Sequence, residues 1–554
     1  MKYVLRWDVA VLLGTKTKMT EYKQAKILSV GDSTRYHAER TPDKIATIFE
    51  DREVNYTDYD RYCSQVANGL IVLGVKPQDR VAFLGKNSDF HAQLQLGTAK
   101  ANAVWTPVNW RLAAPEIQYI VDHCDARILF VGEDFVGAIK SIRDQLPKVE
   151  QIFVMEAPNG DWPGYQEWRD SQDDTDPMVP VDRQDICFQL YTSGTTGRPK
   201  GVMLTNEGVF AGFGDAPPSQ EILDMLKGTW AEVKENAVSL TISPNFHLSG
   251  NGATFQNARG GGTLVIHPDF DQERVFEAVA KYQISGMFMV PAVLKIVLER
   301  TKSGDDGFKS IRNISYGASP IPLELMREAV EVLGCHFLQM YGMTEIGGGA
   351  SILDPTDHDM EGGERMKSCG KAMMGMEIKI VDPDTREELP VRTTGEIVIL
   401  SGGLMKGYYK QPEESLKVVD DEGWYYSGDA GMLDEDGYLY IQDRLKDMIV
   451  SGGENIYSAE VESALFEHEA IEDVCVIGVP SEKWGEEVKA LAVLKEGMTL
   501  NAQDLIMFAR ERIAGFKVPK TVEFRDELLR SGMGKLLKND MREPYWKGYD
   551  RRVG

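Results

Sequence analysis

Ile186-Cys-Phe-Gln-Leu-Tyr-Thr-Ser-Gly-Thr-Thr-Gly-Arg-Pro-Lys-Gly201 is the stretch on which the reading of this chain turns. Its first six residues predict a buried strand, and the hydroxyl- and glycine-rich run behind them predicts a loop. A loop of this composition turns backbone N–H and side-chain O–H groups toward an anion. Its glycines let a ligand approach the backbone closely, and Lys200 adds positive charge. The order G-x-x-x-x-G-K-[ST] is absent, so this is not a Walker A loop. Taken alone, the run is equally compatible with a flexible surface connection.

Outward from this strand the chain alternates. Val81 to Leu84 and Ala126 to Val131 predict strands, and Tyr59 to Leu73 carries apolar residues at helical spacing. Beyond the loop, Ala237 to Ile242, Thr263 to Ile266, Gly286 to Val290 and Ile311 to Tyr316 predict buried strands. Helical patterns at Arg274 to Tyr282 and Leu323 to Leu333 lie between them. Such alternation implies parallel βαβ units and an α/β fold. Residues 212–234 are polar with two prolines and predict a surface excursion carrying one short helix. From about residue 395 the pattern changes to short strands, with Asp434-Glu-Asp-Gly437 predicting a hairpin turn. After Arg444 a smaller α+β unit begins, with helices at Ser458 to Phe466 and Ala502 to Arg512 and strands at Val474 to Val479 and Val488 to Leu494.

Composition excludes several classes. The 554 residues include 61 Lys and Arg against 86 Asp and Glu, a net charge of −25. That balance argues against a nucleic-acid partner and against an anionic membrane surface. Six cysteines are scattered without a C-x-x-C pair, which fits neither a disulfide framework nor a zinc site. Their pattern fits a reducing compartment, and a cytoplasmic location is expected. No apolar run reaches transmembrane length. Residues 1–24 are expected to be an extension; if translation starts at Met19, the first eighteen residues belong to no core.

Further motifs follow in order. They are Tyr341-Gly-Met-Thr-Glu345, Tyr426-Ser-Gly-Asp429, Asp443-Arg-Leu-Lys-Asp447 with Ser451-Gly-Gly-Glu-Asn455, and Ser531-Gly-Met-Gly-Lys535. Together with the loop they closely resemble the signature of the adenylate-forming enzymes, the superfamily of acyl-CoA synthetases, nonribosomal adenylation domains and beetle luciferases. The resemblance covers residues from about 30 to 545. It implies a large α/β N-terminal domain (25–443) of βα sheets plus a small β-barrel-like subdomain, a hinge (444–447) and a mobile α+β C-terminal domain (448–554). One departure is Met533, where the family usually has Thr before Gly-Lys.

The resemblance also implies a reaction in two halves, with ATP, Mg2+ and coenzyme A as cofactors and a small-molecule carboxylic acid as substrate. Thr192, Ser193, Gly194, Thr195, Thr196, Gly197 and Lys200 are expected around the phosphates. Thr344 is expected on the α-phosphate and Glu345 on Mg2+. Gly317, Ala318, Ser319, Tyr341, Gly342 and Met343 are expected around the adenine, and Asp429 and Arg444 at the ribose. Lys535 is the expected catalytic residue, bridging the carboxylate and the α-phosphate. Lys446 occupies the hinge. Gly452 and Gly453 are expected along a pantetheine tunnel, with Trp484, Phe516 and Lys520 toward the rest of coenzyme A. His247, in Asn245-Phe-His-Leu-Ser-Gly250, is expected beside the acid. Relatives that activate amino acids carry Asp at that position, so an α-amino acid is disfavoured.

An acid–CoA ligase leads, ahead of delivery to a separate carrier protein, a luciferase-like oxygenase and a catalytically dead nucleotide sensor. For the acid, the order is a medium- or long-chain fatty acid, then an alicyclic or steroid-like acid, then an aryl or thioether acid. The glycines at 260–262 and 347–349 would leave space for it, or merely form turns. Homodimers are common in the family at this size. The other seven histidines show no metal-ligand spacing, and the methionines between Met366 and Met376 read as plastic packing.

Overall fold

The computed structural model describes residues 27–192, 198–211, 237–305, 307–317, 321, 323–358, 363–451, 454–481, 483–530 and 536–547. The excursion expected at 212–234 and the extension at 1–24 lie outside them. Two large sheets carry the N-terminal part. In the first, Ile186–Thr192 and Val104–Pro107 are central, flanked by Lys200–Thr205 and Gly407–Tyr408 on one side and Arg80–Leu84, Ile128–Val131 and Gln151–Val154 on the other. In the second, Val238–Thr241, Thr263–Ile266, Gly286–Met289, Asn313–Gly317 and His336–Met343 run parallel. Gly348–Leu353 turns back antiparallel beside His336–Met343.

Side-chain alternation along these strands builds layers. Val81 and Phe83 join the core between the two sheets, with Trp105, Phe188, Phe255 and Leu264. Ala82 and Leu84 face the opposite side, under the helices Ala114–His123 and Val136–Ile142. The outer face of the second sheet packs Leu240, Val265, Met287 and Ile314 against the helices Gln272–Tyr282, Pro291–Lys302 and Leu323–Leu333.

The region expected to be barrel-like is a four-stranded antiparallel sheet of Met376–Val381, Gly395–Ser401, Trp424–Leu433 and Leu439–Arg444. The small C-terminal unit centres on the antiparallel pair Ile471–Ser481 and Gly485–Leu494. Val474, Val476, Val488 and Ala490 face the helices Ser458–Phe466 and Ala502–Arg510. Cys475, Ile477, Val479 and Leu491 face the helix Lys538–Trp546. Among the described residues no helix is long and apolar enough to cross a membrane.

One helix start is pH-sensitive. Ser88 and His91 form a capping box at the helix Asp89–Lys100. The Ser88 N–H donates to His91 Nδ1 at 2.8 Å, and the His91 N–H donates to Ser88 Oγ at 3.1 Å. Burial pushes the His91 imidazole down to about 4. An unfolded histidine titrates near 6.5, so between those values only the unfolded chain takes up the proton. Stability is therefore lost as pH falls from about 6.5 to about 4. His91→Gln keeps an acceptor for the Ser88 N–H without a titrating group. Urea unfolding should show wild type losing about 2 kcal/mol more than His91→Gln between pH 7.5 and pH 5; equal losses would remove His91 as the cause.

Candidate active site

The expected adenine and ribose residues meet where the second large sheet abuts the four-stranded sheet. Gly317 ends its strand opposite Met340, and the strand His336–Met343 bulges between Tyr341 and Gly342 before the turn Thr344–Ile346. A Cβ on Gly317 would stand 2.3 Å from the Met340 carbonyl oxygen, and one on Gly342 would stand 2.0 Å from that of Gly348. Both positions require glycine for the strands to approach this closely.

Asp429 lies buried at the centre of this corner. Tyr341 Oη donates to its Oδ2 at 2.8 Å, and Arg444 Nε stands 3.2 Å from its Oδ1. Arg444 is its antiparallel partner in the neighbouring strand, so sheet register sets the pair. The Asp429 N–H donates to Ser427 Oγ at 3.0 Å. Burial and the Asp429 carboxylate hold the Tyr341 phenol well above its ordinary range. Two expected residues from separate strands thus converge on the carboxylate of a third.

Glu345 is the second buried carboxylate. Its Oε1 accepts from Thr192 Oγ1 at 3.3 Å and from Tyr408 Oη at 3.2 Å. Burial raises its pKa, and those hydrogen bonds together with the Arg444 charge pull the other way. No ion pair reaches Glu345 among the described residues. Thr344 is half-buried beside it, as is Met343 before it.

Thr192 and Lys200 pair across the base of the expected phosphate loop. Lys200 is buried, with Nζ 2.6 Å from Glu414 Oε2 and 4.8 Å from the centre of the Tyr408 ring. Ser193, Gly194, Thr195, Thr196 and Gly197 lie outside the described residues, as do Ala318, Ser319, Gly452, Gly453 and Lys535. Lys446 falls in the short turn Leu445–Asp447 that follows Arg444.

His247 stands at the N-cap of the helix Leu248–Gly260, its ring 4.4 Å from that of Phe246. Burial, then the nearby Arg111 charge, pushes its imidazole down to about 4, so it is neutral at pH 7. Gly250 lies in this helix where it packs on the preceding loop: its Cβ would meet the Pro244 carbonyl oxygen at 2.2 Å. A Cβ on Gly252 or Gly348 would meet nothing within 4 Å. Gly261 and Gly347 take positive φ values of 68° and 76°. The glycines the sequence offers as pocket space therefore divide, some serving turns and others facing open space.

Trp484, Phe516 and Lys520 stand exposed on the small unit. Lys483 Nζ lies 4.5 Å from the Trp484 ring, and Lys520 Nζ donates to the Gly515 carbonyl at 3.5 Å. They are not brought into the Asp429–Glu345 corner by any of these contacts.

Three residues escaped the sequence reading. Tyr408 and Glu414 touch Glu345 and Lys200; the signal was the run Gly407-Tyr-Tyr-Lys-Gln-Pro-Glu-Glu414, which reads as an ordinary turn. Arg111 lies over the Trp110 ring at 4.6 Å and reaches within 6.0 Å of the Phe246 ring. It brings a positive charge close to His247, the residue expected beside the acid.

The glycine contacts generate a direct test. Gly342→Ala should destabilise the fold by about 1–3 kcal/mol, since a backbone oxygen cannot yield as a flexible side chain does. The same change at Gly252 should cost little. Thermal unfolding of the two variants checks this; equal melting points would contradict the close approach.

The AMP-binding enzyme family model matches residues 34–409, and the AMP-binding enzyme C-terminal domain model matches residues 460–535. The fatty acid–[acyl-carrier-protein] ligase ScoC of Streptomyces coeruleorubidus is 34% identical, over 97% of this chain and all of that one. The indoleacetate–CoA ligase of Aromatoleum aromaticum is 35% identical, over 92% of this chain and 96% of the relative. The structure of o-succinylbenzoate CoA synthetase (MenE) from Bacillus subtilis with its acyl-adenylate intermediate superposes with a TM-score of 0.79 at 28% identity, covering 94% of this chain and 99% of that one. The chain belongs to the adenylate-forming superfamily of AMP-binding enzymes, as an AMP-forming acid–thiol ligase of the acyl-CoA synthetase type.

Proposed function

We propose that this chain joins a hydrophobic carboxylic acid to coenzyme A using ATP. The observation that carries the reading is the corner where Tyr341, Arg444 and buried Asp429 converge beside buried Glu345 and the base of the phosphate loop. In the first half-reaction a carboxylate oxygen attacks the α-phosphorus, and the bond to the β-phosphate oxygen breaks to release pyrophosphate. In the second, the thiol sulfur attacks the acyl carbon and AMP leaves. Asp429 would take both ribose hydroxyls, since a carboxylate can accept twice. Residues 192–200 would hold the leaving phosphates, and Thr344 the α-phosphate. Lys535 would stabilise charge as it passes between the carboxylate and the phosphorus.

Glu345 fits a divalent cation: it is a hard oxygen donor, buried, with its pKa raised by burial and, among the described residues, no ammonium in contact. Magnesium typically keeps substrate phosphates and waters as further ligands, so one carboxylate suffices. Bound there, it would neutralise phosphate charge.

A medium- or long-chain fatty acid remains the first reading for the acid, in keeping with the ScoC name; an aryl acid follows, in keeping with the indoleacetate ligase. Neutral His247 among Phe246 and Trp110 suits an apolar chain next to the carboxylate. A carrier-protein pantetheine is the second reading for the acceptor, favoured by that same ScoC relative.

Pyrophosphate release with a panel of acids, with coenzyme A or a pantetheinylated carrier protein, tests this. One acid class should give turnover that depends on coenzyme A. Lys535→Ala should lower adenylate formation about 10²–10³-fold. Turnover only with the carrier protein would replace the acceptor, and acetate as best substrate would overturn the acid.

A further inference from the structure

A buried charged cluster lies where the four-stranded sheet hands the chain to the small unit. Asp443 stands one residue before Arg444 in the strand Leu439–Arg444. Its Oδ2 accepts from the Ser458 hydroxyl and, at 3.3 Å, from the Ala459 N–H. A strand residue of one unit therefore caps the first helix of the next, whose own N-cap residue Tyr457 offers no side-chain bond. Ser458 Oγ accepts in turn from Lys538 Nζ. The same ammonium stands 2.9 Å from Glu462 Oε1, which also takes the Val476 N–H at 2.7 Å. Asp443 and Ser458 are buried. Burial works against the Lys538 charge, but Glu462 and Asp443 more than offset it.

Lys538 opens the helix Lys538–Trp546. Just before it, Arg530 and Leu536 form an antiparallel bridge, and the Leu537 N–H donates to the Leu529 carbonyl at 3.0 Å. In sequence Lys535 falls between the two halves of that bridge. Leu528 and Leu536 pack on Met541 and Ile477, so the base of the segment is held by an apolar contact on one side. Lys538 supplies the polar tie on the other.

We propose that Lys538 is a positioning residue for Lys535, acting through Ser458 and Asp443. It fixes the base of the lysine-bearing segment to the residue next to Arg444, and so to the Asp429–Tyr341 corner. This rests on the reading of Lys535 as the group that stabilises adenylate formation. A purely structural ion pair would change stability but leave the rate per folded molecule alone. A positioning role makes kcat fall because a small misplacement of a reacting group is costly even when binding survives.

The test is ATP–pyrophosphate exchange, with an accepted acid, on the full chain. The variants are Lys538→Met, Lys538→Arg, Ser458→Ala, the pair Lys538→Met with Glu462→Leu, and Lys535→Ala. Ser458→Ala leaves every charge in place, so it tests the relay even if Lys538→Met fails to fold. Ser458→Ala and the double variant should lose about tenfold or more in kcat, with KM for ATP within about twofold and circular dichroism unchanged. Lys538→Arg should recover most of the rate, and the double variant should recover the melting point of Lys538→Met without its rate. Folded Ser458→Ala and double variants that exchange at the wild-type kcat, while Lys535→Ala is silent, would overturn the positioning role. Exchange by Lys535→Ala at the wild-type rate would instead sink the Lys535 reading, and the proposal with it.

Discussion

Burying a carboxylate costs several kcal/mol unless something compensates it, and this fold buries two within one corner. Asp429 is compensated within the chain on both oxygens, by the Tyr341 hydroxyl on one and the Arg444 guanidinium on the other. Glu345 is compensated only in part, by two hydroxyls at the long end of hydrogen-bond distance. That asymmetry organises the site. The first carboxylate is locked in place and presents a fixed acceptor. The second keeps unused capacity, which burial registers as a raised pKa. A cation arriving with a polyphosphate would complete what the protein leaves undone.

The corner exists because two strands approach more closely than side chains permit. Gly342 against Gly348, and Gly317 against Met340, bring the sheet edge and the turn at Thr344–Ile346 into reach of Thr192 and Tyr408, which belong to the other large sheet. The core between the sheets, with Trp105, Phe188 and Phe255, fixes their separation. The third contributor, the four-stranded sheet, meets them through Asp429, whose register against Arg444 is set by backbone pairing. Packing thus sets distances, and hydrogen-bond register sets direction.

Much of this was legible in the residues. The strand at 186–191, the alternation around it, and the hairpin at 434–437 follow from period and turn chemistry, and the structure places them within a residue or two. The edges were less legible: the strand expected at Val474 to Val479 runs from Ile471 to Ser481, because pairing with Gly485–Leu494 extends it past its apolar stretch. What pattern could not supply was contact between distant segments. Glu414 meets Lys200 across more than two hundred residues, and Tyr408 meets Glu345 across sixty-three. Asp443 reads as part of a motif, yet its side chain serves a helix that starts fifteen residues later. The glycines were ambiguous for a related reason: composition cannot separate a positive φ, as at Gly261, from open space, as at Gly260.

A chain with a net charge of −25 that binds polyanions must keep positive charge local and controlled. Among the described residues, two cations of the expected site are already engaged. Lys200 is held by Glu414, and Arg444 by Asp429. Lys200, and next Lys417, keep the Glu414 carboxyl below its ordinary range, so the pair is intact at neutral pH. A phosphate reaching Lys200 would exchange one anionic partner of that ammonium for another. Such exchange would make phosphate binding weaker than to a bare ammonium, because Glu414 must be left or shared. It would also mean that a ligand lacking the phosphate charge gains nothing by entering. Discrimination for a triphosphate would thus follow from the same pairing that lets an acidic protein keep a lysine buried at its expected phosphate loop.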